Sequence, residues 1–291
     1  MLWIYLTIGA YLIDAFVFAV DRILLLSPIP NPISYAFYAS ILSAFAIFLL
    51  PFGVHLPTLT NFVVAMISGG TFFLGLVCLY KSIKIIDILE AMPAIGAVTA
   101  LTTFLLNVLL IRQPVTQNEV IAFFLLIIGA FMMSYFHIKN KVFIFIALSG
   151  IFLGLSYGSL KYIFLSDSFV NGVFWTRFGL VGSALFLLIL PRMRKQIFTS
   201  LDKARPTSRF IFILNKLLVS VAFLMIYYAI KIGQVELINA LQGLQYVFIL
   251  IASILLAKKI PVLFEKHTHE HLWRKIVATV FIFAGLLLLF I

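Results

Sequence analysis

The chain has 291 residues, of which 64% are apolar and 11% charged, with 31 phenylalanines and a net charge of +11. A soluble domain carries about 25% charged residues and must keep much of its surface polar. The composition excludes a water-soluble enzyme, a disordered tail, a nucleic-acid-binding module and a disulfide-stapled secreted domain; it leaves an integral membrane protein with little mass outside the bilayer.

A membrane-spanning helix needs about 20 mostly apolar residues. Ten segments meet that requirement in chain order: 2–26, 33–50, 59–80, 88–111, 120–137, 142–165, 169–190, 210–230, 235–257 and 272–291. The first has no basic residues before it and is too long for a cleaved leader, so it is expected to be retained. Prolines and charges mark the breaks, beginning with Ser27-Pro28-Ile29-Pro30-Asn31-Pro32. None of the segments alternates apolar and polar residues as barrel strands do, so an all-α membrane fold is predicted. Cys78 stands alone inside an apolar run, which leaves no disulfide and no thiolate metal site. Two connections exceed simple turns: 191–209, which is basic, and 258–275, which contains His267, His269 and His271. Those histidines and Glu265 are of metal-binding type but lack a helical His-Glu-x-x-His spacing. No metal, no cofactor and no enzymatic constellation is expected.

The two halves match. Shifted by 140 residues, Asn31 meets Asn171, Ser43 meets Ser183 and Pro51 meets Pro191; shifted by 147, Tyr80 meets Tyr227, Lys84 meets Lys231 and Pro114-Val115 meets Pro261-Val262. The expected organisation is two five-helix repeats, residues 1–138 and 139–291. Five is odd, so the second copy enters the membrane from the opposite side, and inverted repeats of this kind typify secondary transporters with a midplane site. On the side that receives the end of the first span lie 17 basic residues, against Arg112, Lys161, Arg177 and Lys231 on the other. The positive-inside rule makes the first side cytoplasmic and puts both termini outside.

The chain resembles the EamA type of the drug/metabolite transporter superfamily over nearly its whole length. The marks are Asp21-Arg22-Ile23-Leu24 closing the first span, and Tyr80-Lys81-Ser82-Ile83-Lys84 leading to Glu90 and Pro93. The second half departs from the pattern with Ala240 in the place of Pro93. The resemblance implies ten spans in five-plus-five order and movement of small metabolites, drugs or amino-acid-like solutes. It also implies termini in the cytoplasm, opposite to the charge count.

Charges inside the bilayer are costly and default to functional hypotheses. Thr7, Tyr11, Asp14, Phe18 and Asp21 fall on one face of the first span, which should point into the bundle. Asp14 can bind an amine, carry a proton, or pair with Lys216 of the eighth span. Arg22 with Glu90, and Lys161 with Glu236, occupy matching places in the two halves and are candidate gate or brace pairs, with helix-end snorkelling as the alternative. Stepping 100° per residue from Glu236 gathers Asn239, Gln242, Gly243 and Tyr246 into one polar arc, expected to line a cavity. Thr99, Thr102 and Thr103 in the fourth span and Ser149, Ser156 and Tyr157 in the sixth add polar groups. Glycines 69, 70, 75, 150, 154 and 158 are expected to serve close helix packing. Arg177 is either an anchor or an anion clamp.

These readings converge on a permease of the prokaryotic inner membrane that moves a small organic solute by alternating access. Its expected partners are lipid and solute, with no nucleic acid, and proton coupling through Asp14 is one energy source. The alternative is a non-transporting, lipid-handling or scaffold protein of the same fold.

Overall fold

The structure is a computed structural model and describes residues 2–26, 29, 31–133, 140–202, 205–256 and 272–289. The histidine-bearing connection lies outside these residues. Among those described, all regular structure is helical. The first half holds α1 (Leu2–Leu26), α2 (Pro32–Ile41), α3 (Leu59–Ile85), α4 (Ile88–Leu106) and α5 (Gln117–Met133). It is followed by α6 (Asn140–Ser166), α7 (Phe169–Phe186), α8 (Pro191–Asp202), α9 (Pro206–Ile232), α10 (Val235–Ala240), α11 (Gly243–Leu256) and α12 (Leu272–Leu288). Among the described residues, seven helical segments are long and apolar enough to cross a membrane, and Gln117–Met132 and Val235–Ile251 are shorter apolar helices. The protein is a membrane protein; side chains such as Phe16, Phe48 and Leu224 stand exposed, as lipid-facing residues do.

Helix starts are set by local chemistry. Asn31 accepts the amides of Ile33 and Ser34 at 3.0 and 3.2 Å, with Pro32 opening α2. Asp87 accepts the Leu89 amide at 3.0 Å and starts α4. Asn171, matched to Asn31 in sequence, does not cap α7: Ser168 does, and Asn171 sits one turn inside, holding His55 and Asp167. The sequence register therefore slips at this pair.

Four features depart from the uniform spans read in the sequence. The second span changes from α2 to a 3-10 stretch at Leu42–Phe52. The fourth ends in a π-helical turn at Asn107–Ile111. The ninth is broken, with Leu241 and Gln242 forming a turn between α10 and α11. The basic 191–209 connection contains α8, whose Ile197 is fully buried and whose Gln196 and Ile197 carbonyls accept Ser34 and Tyr38 of α2.

Packing pairs the halves crosswise: α1 lies on α9, α6 lies on α3 and α4, and α5 lies on α12. Gly150, Gly154 and Gly158 form a groove that takes Val98, Thr102 and Leu106, all at spacings of four. A Cβ on Gly154 would come within 2.5 Å of the Thr102 Cβ, so only glycine lets these backbones meet. The crossing of α3 and α7 is closer still, because Gly69 lies directly on the backbone of Thr176 to Leu180.

Helix bounds recur at a fixed offset. Leu59 and Pro206 open α3 and α9, Ile85 and Ile232 close them, and Ile88 and Val235 open α4 and α10, each pair 147 residues apart.

Candidate functional site in the bundle interior

The polar face of α1 is buried as its spacing requires: Thr7, Tyr11, Asp14, Phe18 and Asp21 all face inward. The partners differ from those expected. Lys216 of α9 pairs with Asp21, at 2.7 and 2.8 Å to the two carboxylate oxygens, and not with Asp14. The Tyr35 hydroxyl and the Asn215 amide each donate to Asp21 Oδ1 at 2.6 Å, and Lys216 also donates to the Tyr80 hydroxyl at 3.2 Å. The Lys216 ammonium stands over the rings of Tyr35, Tyr80 and Phe212, with centroids 5.0 to 5.7 Å away. A buried ion pair holds only when its remaining polar sites are also satisfied. Asp21 offers that shell, whereas the enclosed Oδ1 of Asp14 has no hydrogen-bond partner among the described residues.

In the candidate brace pairs, each cation is hydrogen-bonded to backbone carbonyls, while Lys161 and Glu236 still lie near enough to attract each other. Arg22 donates from Nη1 to the carbonyl of Ile86 at 2.5 Å and to that of Ile83 at 3.5 Å, and its near acid is Asp87 at 3.9 Å, where Glu90 was expected. Lys161 donates to the carbonyls of Ile230, Lys231 and Gly233 at 2.9, 3.4 and 2.6 Å. Glu236 accepts from Asn107 at 2.6 Å, and its buried Oε2 has no hydrogen-bond partner among the described residues. The physical reason is common to both cations: a helix C-terminus ends in unsatisfied carbonyls and negative dipole, which a cation completes. In the π-helical turn Asn107 also receives the Gln113 amide at 2.9 Å. Asn107 was missed in the sequence; its signal was a lone amide in an apolar run.

In the ninth span Glu236, Asn239 and Tyr246 are buried and Gln242 is half-buried. The turn at Leu241–Gln242 breaks the continuous arc that 100° stepping assumed. Its consequence is chemical. The Gln242 amide bonds to the Asn239 carbonyl at 3.2 Å, not to Ile238, and the freed Ile238 carbonyl accepts the Tyr11 hydroxyl at 2.9 Å. Asn239 reaches Thr103 at 3.4 Å, and Gln242 reaches Gln245 at 3.4 Å. Buried Gln245, overlooked in the sequence, has an Nε2 without a partner among the described residues. Thr99 and Ser156 serve packing: Thr99 bonds to its own helix at Ile95, and Ser156 meets Ser68 of α3. Thr7 likewise bonds to Trp3 of its own helix. The Tyr157 ring lies edge-on to Phe72 and Tyr227.

A cavity of about 40 Å³ lies between α1, α2, α3, α7 and α9, with Asp21, Lys216 and Arg177 in its wall. Arg177 is gripped by aromatic faces, with centroids of Tyr227, Phe223 and Phe72 at 4.8, 5.0 and 5.6 Å. Cation–π contacts are worth about 0.5–2 kcal/mol each, enough together to offset the ~2.5–3.5 kcal/mol cost of a cation at membrane depth.

No family model matches the chain, and no curated protein matches it. Solved structures do match. One crystal structure, described only as that of a protein, aligns over 98% of this chain and 93% of its own with a TM-score of 0.63 at 14% identity. At that identity the likeness shows the fold alone.

Proposed function

We propose that the chain is a ten-span secondary transporter of the EamA-like drug/metabolite type, built as two inverted five-helix repeats, 1–138 and 139–291. It moves a small organic solute across the prokaryotic inner membrane by alternating access. One observation carries this reading. Arg22 of α1 caps α3 at Ile83 and Ile86, and Lys161 of α6 caps α9 at Ile230 and Gly233. Ile83 and Ile230 are 147 residues apart, as are Ile86 and Gly233, so the repeat register extends from helix bounds to bonded atoms. That register supports a copied unit of five spans, and an odd number of spans would place the second copy inverted. The broken ninth span supports a midplane site, because discontinuous helices expose backbone polar groups to a cavity in such transporters.

Alternating access then consists of rocking between the repeats. The α3–α7 crossing is sealed by Gly69 against the α7 backbone. Its counterpart in the repeat register lies at Lys216 and Ala39, which border the cavity. Asp14, buried in mid-span with its Oδ1 unpartnered among the described residues, is the group through which a proton would couple.

The test is reconstitution into proteoliposomes with a panel of amino acids, carboxylates, nucleobases, sugars and amines. Single cysteines at 39 and, in place of Ser183 beside the α3–α7 crossing, at 183, in a Cys78→Ser background, are labelled from each side in parallel. Saturable uptake, with labelling at each position that changes reciprocally with solute, is expected. No uptake across the panel, together with labelling unaffected by any solute, overturns the proposal. A non-transporting membrane protein of this fold is the second reading, favoured by the small size of the cavity.

A further inference from the structure

We infer that Arg177 is the solute-recognition group of the interior cavity, and that the solute is a small carboxylate with an apolar body. This rests on the transporter reading and adds a substrate class to it. Three charged side chains border the cavity. Two of them, Lys216 and Asp21, neutralise each other in a bonded pair. Arg177 has no carboxylate within 4.0 Å among the described residues, so the cavity retains one positive charge. Of the five N–H donors of its guanidinium, the one bonded in the structure reaches Ser43 Oγ at 3.4 Å. The rings of Phe72, Phe223 and Tyr227 hold the group in place without using those donors.

A fixed planar fork with free donors matches a carboxylate, which accepts two parallel N–H bonds. One uncompensated charge matches a monoanion. Apart from Ser43, Tyr80 and Ser220, the rest of the wall is apolar, with Phe18, Leu42, Leu180 and Val219 beside the three charged groups, and so fits an alkyl or aryl body. A cationic solute would meet Arg177 as a like charge. Space for the solute must come from the second span, whose change from α-helix to 3-10 helix begins at Leu42, next to Ser43 on the cavity wall. Irregular helical stretches of this kind often mark hinges.

The experiment measures thermal stabilisation and binding with the full chain in lipid nanodiscs. Phenylacetate and isovalerate are compared with phenylacetamide, phenethylamine and phenyl phosphate. The carboxylates are expected to stabilise the wild type, and the amide and the amine are not. Arg177→Gln should weaken carboxylate binding about tenfold or more, the equivalent of about 1.4 kcal/mol, and Arg177→Lys less. Ser43→Ala should weaken it modestly and serves if Arg177→Gln fails to fold. Equal binding of acid and amide, a preference for the amine or the phosphate, or undiminished binding by both Arg177→Gln and Ser43→Ala overturns the inference. Carboxylate binding without uptake into proteoliposomes would uphold the site and remove the transport reading. Uptake of another solute, unchanged in Arg177→Gln, would do the reverse.

Discussion

Arg22 and Lys161 perform the same task in two helix pairs, each closing the C-terminal carbonyls of the helix its own helix packs near, with acceptors in one register. The cations differ in kind and lie one residue out of sequence register, yet the carbonyls they serve do not. The geometry follows the helix ends, because it is unsatisfied carbonyls that demand a donor.

Removing either cation leaves buried carbonyls without donors. Lys161→Met is expected to destabilise the protein by about 1–3 kcal/mol, and Lys161→Arg to restore much of the loss. Denaturant unfolding in mixed micelles measures both. No loss in Lys161→Met would show that the carbonyls find other donors.

Asp21 and Lys216 form a buried pair, so single and double substitutions should not add. Asp21→Asn or Lys216→Met alone should cost about 3–5 kcal/mol, because each strands a buried charge, and the double variant should recover a large part. The same cycle on Asp14 and Lys216 should show much weaker coupling. Apparent melting temperatures in detergent give the comparison.

The glycine groove of α6 is tested by contrast. Gly154→Ala forces a Cβ against Thr102 and the Thr99 carbonyl and should destabilise by about 1–3 kcal/mol. Gly182→Ala meets nothing within 4 Å and should leave stability unchanged or slightly raised. If the two variants melt alike, the α4–α6 packing is not as described.

Asp14→Asn keeps the side-chain shape and removes the titratable group. Uptake driven by an imposed pH gradient is expected to fall to the undriven level, while exchange of solute at equal pH continues. Undiminished pH-driven uptake would dismiss Asp14 as the coupling group.

The apolar segments, their approximate ends and the inward face of α1 are legible in the order of residues. These depend on local properties: apolar length, proline without an amide hydrogen, capping side chains, and a seven-residue spacing that brings Asp14 and Asp21 to one side. The sequence also carried the 147-residue register that the bounds of α3, α4, α9 and α10 follow. Tertiary structure alone decided which charge meets which. Asp14 and Asp21 share a face and differ only in depth, and Lys216 chose the one that Tyr35 and Asn215 had already furnished with donors. Arg22 and Lys161 took helix-end carbonyls as their hydrogen-bond acceptors. The ninth span broke without a proline, and Tyr11, from a helix far away in sequence, took the carbonyl so freed. Such choices turn on the rotation and depth of neighbouring helices, which a few ångströms of displacement alter and no local pattern encodes.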